Sequence, residues 1–301
     1  MACPAPVVAA IVLNYVNWEQ TRLCVEDLLA QHGVELDIVV VDNASPNDSL
    51  ARLRERFAAE RRVELVASPR NGGYAQGNNY GARWRLAQGP VDHFLIINND
   101  VRLPERHAVN KLVVFASATP DAAMVGPRVL TRAGFPQGPY RRPHALLCCL
   151  RYCLPMVPLA HRLWRRLGEF LRDLLWREEK SRPCFALVGA CLLTPAAAFV
   201  SAGMFDEATF LGAEEYILAD RMRRQGLRSY YVPRAWVVHE HDLSAIRKTG
   251  GEERYLPGGV ASMKYYFRHY QQAPESWIKL FERSASFYGR VFLPLRQRLP
   301  L

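Results

Sequence analysis

The sequence predicts an α/β fold in which helices cover both faces of a mostly parallel β-sheet, with further helices at the C-terminal end. Short apolar runs alternate with segments of helical spacing through the first hundred residues, a pattern typical of parallel strands joined by helices. Each apolar run also ends in a polar cluster. Strands of a parallel sheet end at one common edge, so this second regularity indicates a ligand site there.

The elements of the first hundred residues follow from hydrophobic spacing. The apolar runs predict strands at residues 7–13, 37–41, 63–67 and 93–97. The intervening segments predict helices at residues 18–31, 49–59 and 75–87.

Later in the chain, residues 185–205 carry no charge and are long enough to span a membrane. Gly189, Thr194-Pro195 and the Ser-Ala-Gly at 201–203 break this stretch into a strand, a turn and a helix that starts at the proline. We therefore interpret it as buried core. Helical segments are also expected at 261–270 and 277–292, which are basic and aromatic.

The composition and net charge limit the classes of partner that the protein is expected to bind. The chain has 301 residues and a net charge of +10, which favours an anionic partner such as nucleic acid, an acidic membrane surface or a phosphorylated small molecule. Lysines and arginines are spread over many segments without a recognisable nucleic-acid motif, which argues against nucleic acid. Seven cysteines without a complete zinc pattern, and a start lacking signal-peptide features, predict reduced thiols in a cytoplasmic protein.

Residues 134–183 form a basic insert of different character. A Pro/Gly-rich loop, "GFPQGPYRRPH", precedes an amphipathic helix predicted at 162–180, with leucines on one face and many arginines. A helix of this kind lies on an anionic membrane surface or packs on its own domain. The sequence leaves both alternatives open.

Two of the polar clusters are suited to a nucleotide. Asp42, with Asn43 and Ser45 beside it, can accept hydrogen bonds from a base or a ribose; an Asx-turn ahead of Pro46 is the structural alternative. The Asn71-Gly72-Gly73 loop permits close backbone approach, and amides at the following helix start suit a diphosphate. Neither a Walker loop nor a G-x-G-x-x-G motif is present.

The cluster Asn98-Asn99-Asp100 indicates a cation site. Asp100 can bind Mg²⁺ or Mn²⁺, with neutral amide oxygens from Asn98 and Asn99; capping of a turn is the alternative. His239 and His241, two apart at a strand end, point to the same face if the strand continues that far. One of them can complete a metal shell or hold a diphosphate.

Glu214 and Glu215 are expected at the start of a helix, where adjacent side chains point about 100° apart. One can act as a general base in a cleft while the other binds an acceptor or caps the helix. Acidic residues in a first turn also stabilise the helix dipole, which is the purely structural alternative.

The ordered set of these motifs resembles glycosyltransferase family 2, with the GT-A fold, and within it a rhamnosyltransferase-like subgroup. The resemblance covers residues 7 to about 245. The motifs that carry it are "IVLNYVNWEQT", "IVVVDNASPNDS", "SPRNGGYAQGNNYGA", "FLIINNDVRLP", the segment from "LVGACLLTP" through "FLGAEEYILADRMRRQG", and "VVHEH". The fold it implies is a Rossmann-like, mixed but mostly parallel sheet.

The resemblance implies inverting transfer of a sugar, rhamnose or another hexose, from a UDP-, dTDP- or GDP-linked donor to an acceptor hydroxyl on a saccharide or lipid-linked saccharide. It assigns Glu215 as the base, with Glu214 as the alternative, and Asp100 with His239 as metal ligands for Mg²⁺ or Mn²⁺. His241 and Arg141 are candidates for the diphosphate or the acceptor. The implied donor-binding residues are Asn14, Tyr15, Asp42, Asn43, Ser45, Asn71, Gly72, Gly73, Asn79, Asn98 and Asn99.

Two positions depart from the family pattern: Asn98 stands where a first metal carboxylate is common, and Glu215 where Asp is more frequent. The expected domains are 1–245, with a donor half at 1–130 and an acceptor half at 131–245, and a helical extension at 246–301. Peripheral contact with the inner membrane face is expected. A sugar-nucleotide-binding protein without activity and a nucleotidyltransferase are the alternative functions; the latter lacks its Gly-rich loop with a basic residue after strand one.

Overall fold

The computed structural model describes residues 6–153, 179–240 and 251–292. The chain divides into two compact units. The first comprises Met1–Arg141, Lys180–Phe210 and Glu214–Asp242, and the second comprises Arg142–Glu179, Leu211–Ala213 and Leu243–Leu301. Residues 142–179 of the predicted insert therefore fall in the same unit as the predicted extension, whereas residues 134–141 and 180–183 belong to the first unit. The proposed boundaries within 1–245 remain a prediction.

The first unit is built on one ten-stranded sheet. Its strands are β1 Val8–Asn14, β2 Leu36–Asp42, β3 Val63–Ala67, β4 His93–Asn98, β5 Val101–Arg102, β6 Ala122–Thr131, β7 Pro136–Gln137, β8 Arg182–Cys184, β9 Cys191–Pro195 and β10 Arg228–His239. The main strand order is β3-β2-β1-β4-β9-β6-β10-β5, with β7 beside β6 and β8 beside β10.

Six of the strands run in one direction and make the sheet mostly parallel. Strands β1 to β4 pair in parallel, and so do β6 and β10. Strand β9 lies antiparallel between β4 and β6 and joins the two parallel halves. The short strands β5, β7 and β8 are antiparallel additions. The predicted mixed, mostly parallel α/β fold is confirmed.

The helices are also numbered in chain order. Those of the first unit are α1 Trp18–Leu29, α2 Ser49–Arg56, α3 Gly73–Gln88, α4 Ala108–Ala118, α6 Ala196–Ser201 and α7 Glu214–Arg224. Those of the second unit are α5 Ala145–Cys153, α8 Gly251–His269 and α9 Glu275–Phe287, which continues into a π-helical turn at Tyr288–Phe292.

Helices cover both faces of the sheet because alternate strand residues point to opposite sides. Ala10 and Val12 belong to a buried cluster with residues of α1, α2 and α4. The neighbouring residue Ile11 points to the other face, toward α3. Phe94 packs edge-on against Phe199 of α6, with ring centroids 5.9 Å apart.

Helix α3 approaches the sheet closely because glycines occupy its inner face. A Cβ on Gly77 would lie 2.4 Å from Leu13 Cδ1, and one on Gly81 would lie 2.6 Å from Val41 Cγ2. At the first helical position, Gly73 has φ +82° and a Cβ would lie 2.1 Å from the Phe210 carbonyl oxygen. The "GYAQGNNYG" spacing thus sets the distance between the helix and the strands β1 and β2.

The predicted elements of the first hundred residues are all present, with ends shifted by up to three residues. The uncharged stretch 185–205 contains β9 and α6, with Pro195 as the helix N-cap, as expected. The strand end expected at His239 is present, because the longer strand β10 ends at that residue. Among the described helices, none combines the length and the apolar composition needed to cross a bilayer.

In the second unit, α9 packs on α5 and α8. Its inner face buries Ile278, Phe281 and Ala285. The opposite face leaves Leu280 46% and Phe287 53% exposed. The predicted helices at 261–270 and 277–292 are thus present, whereas the helix predicted at 162–180 lies outside the described residues except for its last two.

Candidate active site

Strand register brings the polar clusters to one edge of the sheet. Asn14 pairs with Asp42, and Leu13 pairs with Asn98. Asp42 in turn pairs with Ala67, which ends β3 just before the Asn71 loop. The carboxyl ends of β1 to β4 therefore lie at the same level, as the parallel arrangement requires.

A chain of side-chain hydrogen bonds crosses this edge from β2 to β4. Asn14 Nδ2 donates to Asp42 Oδ2 at 2.7 Å, and Thr21 Oγ1 donates to Asn14 Oδ1 at 2.7 Å. Asn99 Nδ2 then donates to Thr21 Oγ1 at 2.9 Å. Asn14 is fully buried and Asp42 is 3% exposed. Their polar atoms satisfy each other, as buried polar groups must.

The turn after β2 fixes the second oxygen of Asp42. Ser45 N donates to Asp42 Oδ1 at 2.9 Å, and Ser45 Oγ accepts from Val16 N at 2.9 Å. Val16 has φ 58°, a left-handed conformation that is strained for a β-branched residue, and Asn47 Nδ2 donates to its carbonyl oxygen. Tyr15, 45% exposed, stands beside it at the open end of β1.

The loop before α3 is held by Asn71. Its Oδ1 accepts from Asn43 Nδ2 at 3.0 Å and from Gly73 N at 3.1 Å. Tyr74 N donates to the Phe210 carbonyl oxygen at 2.9 Å. The amides of Gly73 and Tyr74 are therefore not free, contrary to the expectation of unengaged donors at this helix start. Gly72, which is partly exposed, precedes them.

Asn79 supports this region from inside α3. Its Nδ2 donates to the Phe205 carbonyl oxygen and to Glu207 Oε1, both at 2.9 Å, and its Oδ1 accepts from Phe205 N at 3.1 Å. The side chain is fully buried. Its amide thus stabilises the loop after α6, and the implied contact of Asn79 with the donor stays a prediction.

Asp100 and His239 come together through the pairing of β5 with β10. Val101 pairs with His239, and Glu240 N donates to the Asp100 carbonyl oxygen at 2.8 Å. His239 Nε2 consequently lies 3.2 Å from Asp100 Oδ1. On its other side, His239 Nδ1 lies 2.8 Å from Gln137 Oε1 of β7. These two contacts, one at each ring nitrogen, fix the orientation of the imidazole ring.

These two side chains fit a divalent cation. An Nδ1–H that donates to the Gln137 amide oxygen leaves the Nε2 lone pair directed at Asp100 Oδ1, and a cation between the two atoms relieves their repulsion. Two ligand atoms of one octahedral Mg²⁺ are about 3 Å apart. No cluster of three or more His, Cys, Asp or Glu able to hold a metal occurs in the described residues. Mg²⁺ in proteins usually keeps several waters and also takes phosphate oxygens of the substrate.

Glu215 is placed by the backbone of the loop before β9. Gly189 N donates to Glu215 Oε1 at 2.9 Å. A Cβ on Gly189 would lie 2.2 Å from that oxygen, so this contact requires glycine. Desolvation raises the pKa of the Glu215 carboxyl group above its ordinary value, and hydrogen bonds from its own N–H and from Gly189 N–H partly offset this. A higher pKa suits a general base.

The loop that holds Glu215 is also joined to the end of β4. Asn98 N donates to the carbonyl oxygen of Ala190, the residue after Gly189, at 2.9 Å. Glu214, in contrast, is only 2% exposed, while Glu215 is partly exposed. Arg141 is exposed, and His241 lies outside the described residues.

Sequence reasoning missed three residues that organise this site. Thr21 links Asn14 to Asn99, Gln137 orients His239, and Gly189 positions Glu215. Only Gly189 carried a signal, because it interrupts an uncharged stretch and was interpreted as a strand breaker. Thr21 and Gln137 are common polar residues within ordinary segments.

Comparison with known proteins identifies the family. A family model described as Glycosyl transferase family 2 matches residues 9–187, more than half of the chain. The chain belongs to glycosyltransferase family 2. The resemblance stated from the motifs is confirmed.

Two curated relatives of this family 2 glycosyltransferase are named as sugar transferases. One is the low-salt glycan biosynthesis hexosyltransferase Agl10 of Haloferax volcanii, 23% identical over 82% of this chain and 71% of the relative. Another is an N-acetylglucosaminyl-diphospho-decaprenol L-rhamnosyltransferase of Mycobacterium tuberculosis, 27% identical over 70% of this chain and 69% of the relative.

Solved structures share the fold. The mannosyltransferase PcManGT of Pyrobaculum calidifontis, in complex with GDP-Man and Mn²⁺, aligns with a TM-score of 0.62 at 17% identity, covering 97% of this chain and 72% of that one. GalNAc-T7 with UDP, GalNAc and Mn²⁺ aligns with a TM-score of 0.60 at 13% identity, covering 99% and 59%. The predicted GT-A fold is confirmed.

Proposed function

We propose that this family 2 glycosyltransferase moves a hexosyl group, with inversion, from a nucleotide-diphospho-sugar to an acceptor hydroxyl. The observation that carries the proposal is the Glu215 carboxylate, held by Gly189 N–H in a loop joined through Ala190 to the end of β4. The proposed base, the proposed metal ligands Asp100 and His239, and the polar strand ends thus belong to one edge of the sheet.

Glu215 is the proposed general base. One of its oxygens accepts from Gly189 N–H, while the other oxygen is left for the acceptor hydroxyl. Desolvation raises its pKa toward the working range of a base. Glu214, at 2% exposure, is too deeply buried to be the better choice.

The strand ends are proposed to hold the donor. Asp42 and Asn14, with Asn43 and Ser45 nearby, would bind the nucleoside, and Tyr15 is exposed beside them. Asp100 and His239 would hold Mg²⁺ or Mn²⁺ near the diphosphate. When bound, the ion stabilises the negative charge that develops on the leaving diphosphate.

The names of the relatives support the substrate class. A rhamnosyltransferase that uses a diphospho-decaprenol-linked sugar favours rhamnose or another hexose and a saccharide or lipid-linked acceptor. A hexosyltransferase of glycan biosynthesis favours the same class. Melting temperatures with UDP-, dTDP- and GDP-sugars, with and without Mn²⁺, would identify the donor, because a ligand that binds the folded state raises the midpoint.

The decisive test replaces Glu215 by Gln, which keeps the size of the side chain but removes the base. Sugar transfer should fall by roughly 10²-fold or more while the donor still raises the melting temperature. Glu64→Gln, at an exposed position of β3, is the matched control and should transfer at the wild-type rate. Unchanged turnover in Glu215→Gln would exclude Glu215 as the base.

The same measurements separate the alternatives. A sugar-nucleotide-binding protein without activity would bind the donor but transfer nothing in the wild type. A nucleotidyltransferase would release pyrophosphate from a nucleoside triphosphate and a sugar phosphate. The family match favours transfer of the sugar itself.

Peripheral contact with an anionic membrane surface, on the cytoplasmic side, is the remaining part of the proposal. The exposed face of α9 combines Leu280 and Phe287 with the exposed cations Lys279, Arg283 and Arg290. The acidic residues of α9 are paired with α8: Arg268 binds Glu275, and Lys264 binds Glu282. An exposed apolar face flanked by cations suits anionic lipid. A second copy of the chain fits poorly, since like charges would meet.

A further inference from the structure

Tyr74 makes two contacts at the junction between the donor loop and the catalytic side of the site. It is the second residue of α3, directly after the Asn71-Gly72-Gly73 loop. Its N–H donates to the Phe210 carbonyl oxygen at 2.9 Å, so its backbone is fixed. Its hydroxyl group reaches across to Gly189 and donates to the carbonyl oxygen at 2.7 Å.

Gly189 is therefore held on both sides of its Cα. Its carbonyl oxygen accepts from Tyr74, and its N–H donates to Glu215 Oε1 at 2.9 Å. Glycine has the greatest backbone freedom of all residues, and the contact with Glu215 requires glycine here. Cys191 N donates to the Val188 carbonyl oxygen at 3.4 Å and helps to hold the peptide that carries the Gly189 N–H. Loss of the Tyr74 hydrogen bond would leave the other side of Gly189 less restrained, and the N–H that contacts Glu215 would be placed less accurately.

We propose that Tyr74 is a positioning residue for the base, acting on Glu215 through the backbone of Gly189. This inference rests on the proposed role of Glu215. It adds a residue outside the donor, metal and base sets, and it links the donor loop mechanically to the carboxylate that would receive the acceptor proton.

The hydroxyl group is suited to this task because it keeps its proton. Burial raises the pKa of Tyr74 well above its ordinary value, and the carboxylates of Glu215 and Glu214 raise it further. The group thus remains a donor at any pH where an enzyme of this kind works. Only the donor form can hold the Gly189 carbonyl oxygen.

The role of the hydroxyl can be separated from that of the ring. The Tyr74 ring packs edge-on against Phe205, with centroids 5.4 Å apart. Phenylalanine preserves this packing and removes only the hydrogen bond to Gly189. Tyr80, on the same helix and partly exposed, provides a matched loss of one hydroxyl group elsewhere.

The test compares Tyr74→Phe with Tyr80→Phe and the wild type in steady-state sugar transfer over a range of pH. For Tyr74→Phe we expect kcat to fall roughly 10- to 100-fold, because small misplacements of a catalytic group have effects of this size, while the donor KM stays near the wild-type value. The acidic limb of the kcat/KM profile should move to higher pH, because a weaker Gly189 N–H bond leaves the pKa of Glu215 higher. Tyr80→Phe should match the wild type.

A purely structural role would instead lower the melting temperature of Tyr74→Phe and leave the pH profile in place, which would overturn the inference. So would a kcat and a profile equal to those of the wild type. Failure of the proposed function is distinguishable, because then the wild type itself transfers no sugar, or Glu215→Gln transfers it normally.

Discussion

Glu215, the proposed base, makes an unfavourable contribution to folding at neutral pH. Its side chain is largely withdrawn from water, and desolvation raises its pKa despite two backbone hydrogen bonds. The folded chain therefore holds the proton more tightly than the unfolded chain does. Ionisation at neutral pH consequently destabilises the native state, which is a common property of catalytic groups.

This predicts a pH-dependent gain of stability in Glu215→Gln. Below the ordinary glutamate pKa of about 4.3, the side chain is protonated in both states, so the variant and the wild type should have similar melting temperatures. As pH rises through the higher folded-state pKa, the wild type loses stability that the variant retains. Melting curves at pH 4 and pH 8 measure this, with a shift on the order of 2–4 °C for each kcal/mol gained.

A melting temperature of Glu215→Gln at or below that of the wild type at pH 8 would contradict this account. Glu64→Gln is again the control, since an exposed carboxylate should show no such dependence.

The sequence predicted individual residues unevenly. Asn14, Asp42 and Asp100 were found because each stands where an apolar run ends, and strand ends share an edge. Thr21 and Tyr74 were missed because each sits inside a helix, where a hydroxyl group is unremarkable until its partner on a distant segment is known. The partner of Tyr74 is 115 residues away along the chain.

At the scale of elements, the close packing of α3 on the sheet depends on glycines that lack a side chain. Gly77 and Gly81 place the helix against Leu13, Ile11 and Val41 without room for a methyl group. The helix begins at the last residue of the Asn71-Gly72-Gly73 loop. The distance between the helix and the sheet therefore also fixes the positions of Asn71 and Tyr74 relative to the strand ends. Glycine in a helix interior normally destabilises by about 1 kcal/mol relative to alanine, and close packing offsets this here.

Gly81→Ala should therefore destabilise the protein, although alanine is the better helix former. Its Cβ would lie 2.6 Å from Val41 Cγ2 and 2.9 Å from Ile11 Cγ2, and overpacking of this kind costs about 1–3 kcal/mol. Gly258→Ala in α8 is the control, since nothing lies within 4 Å of a Cβ there. Urea unfolding should show a lower midpoint for the first variant and an equal or higher one for the second. Equal midpoints for both would contradict the packing argument.

Elements with strong local patterns were predictable, and those defined by long-range pairing were not. The strands of the first hundred residues appeared as apolar runs. Strand β9 was expected as a strand, but its antiparallel position between β4 and β6 depends on partners that no local pattern reveals. The two-residue strand β5 was also beyond prediction, although it places Asp100 beside His239.

At the scale of the whole molecule, the net charge of +10 predicts attraction to anionic surfaces. Charge alone gives weak, salt-sensitive association with an anionic membrane. An exposed apolar face strengthens the binding in proportion to the apolar area that becomes buried in lipid. The α9 face offers both, because the exposed side chains of Leu280 and Phe287 lie near the exposed cations Lys279, Arg283 and Arg290.

The wild type should therefore bind phosphatidylglycerol vesicles in a sedimentation assay and bind phosphatidylcholine vesicles much more weakly. Phe287→Glu should reduce binding roughly tenfold or more, because it removes an exposed apolar side chain that would be buried in the lipid. Val114→Glu on α4, at a site 59% exposed, introduces the same charge and should bind like the wild type. Wild-type binding by Phe287→Glu, no vesicle binding by the wild type, or dissociation of a dimer by Phe287→Glu would each contradict the lipid assignment.

The hydrogen-bond chain from Asp42 through Asn14 and Thr21 to Asn99 is made entirely by side chains of the protein. Its members have already lost their rotamer entropy during folding, so a nucleotide that docks there need not order them again. Because these side chains are already ordered, we expect any conformational change on donor binding to occur in other parts of the chain. We therefore expect the side chains at this edge to keep their conformations when a donor binds.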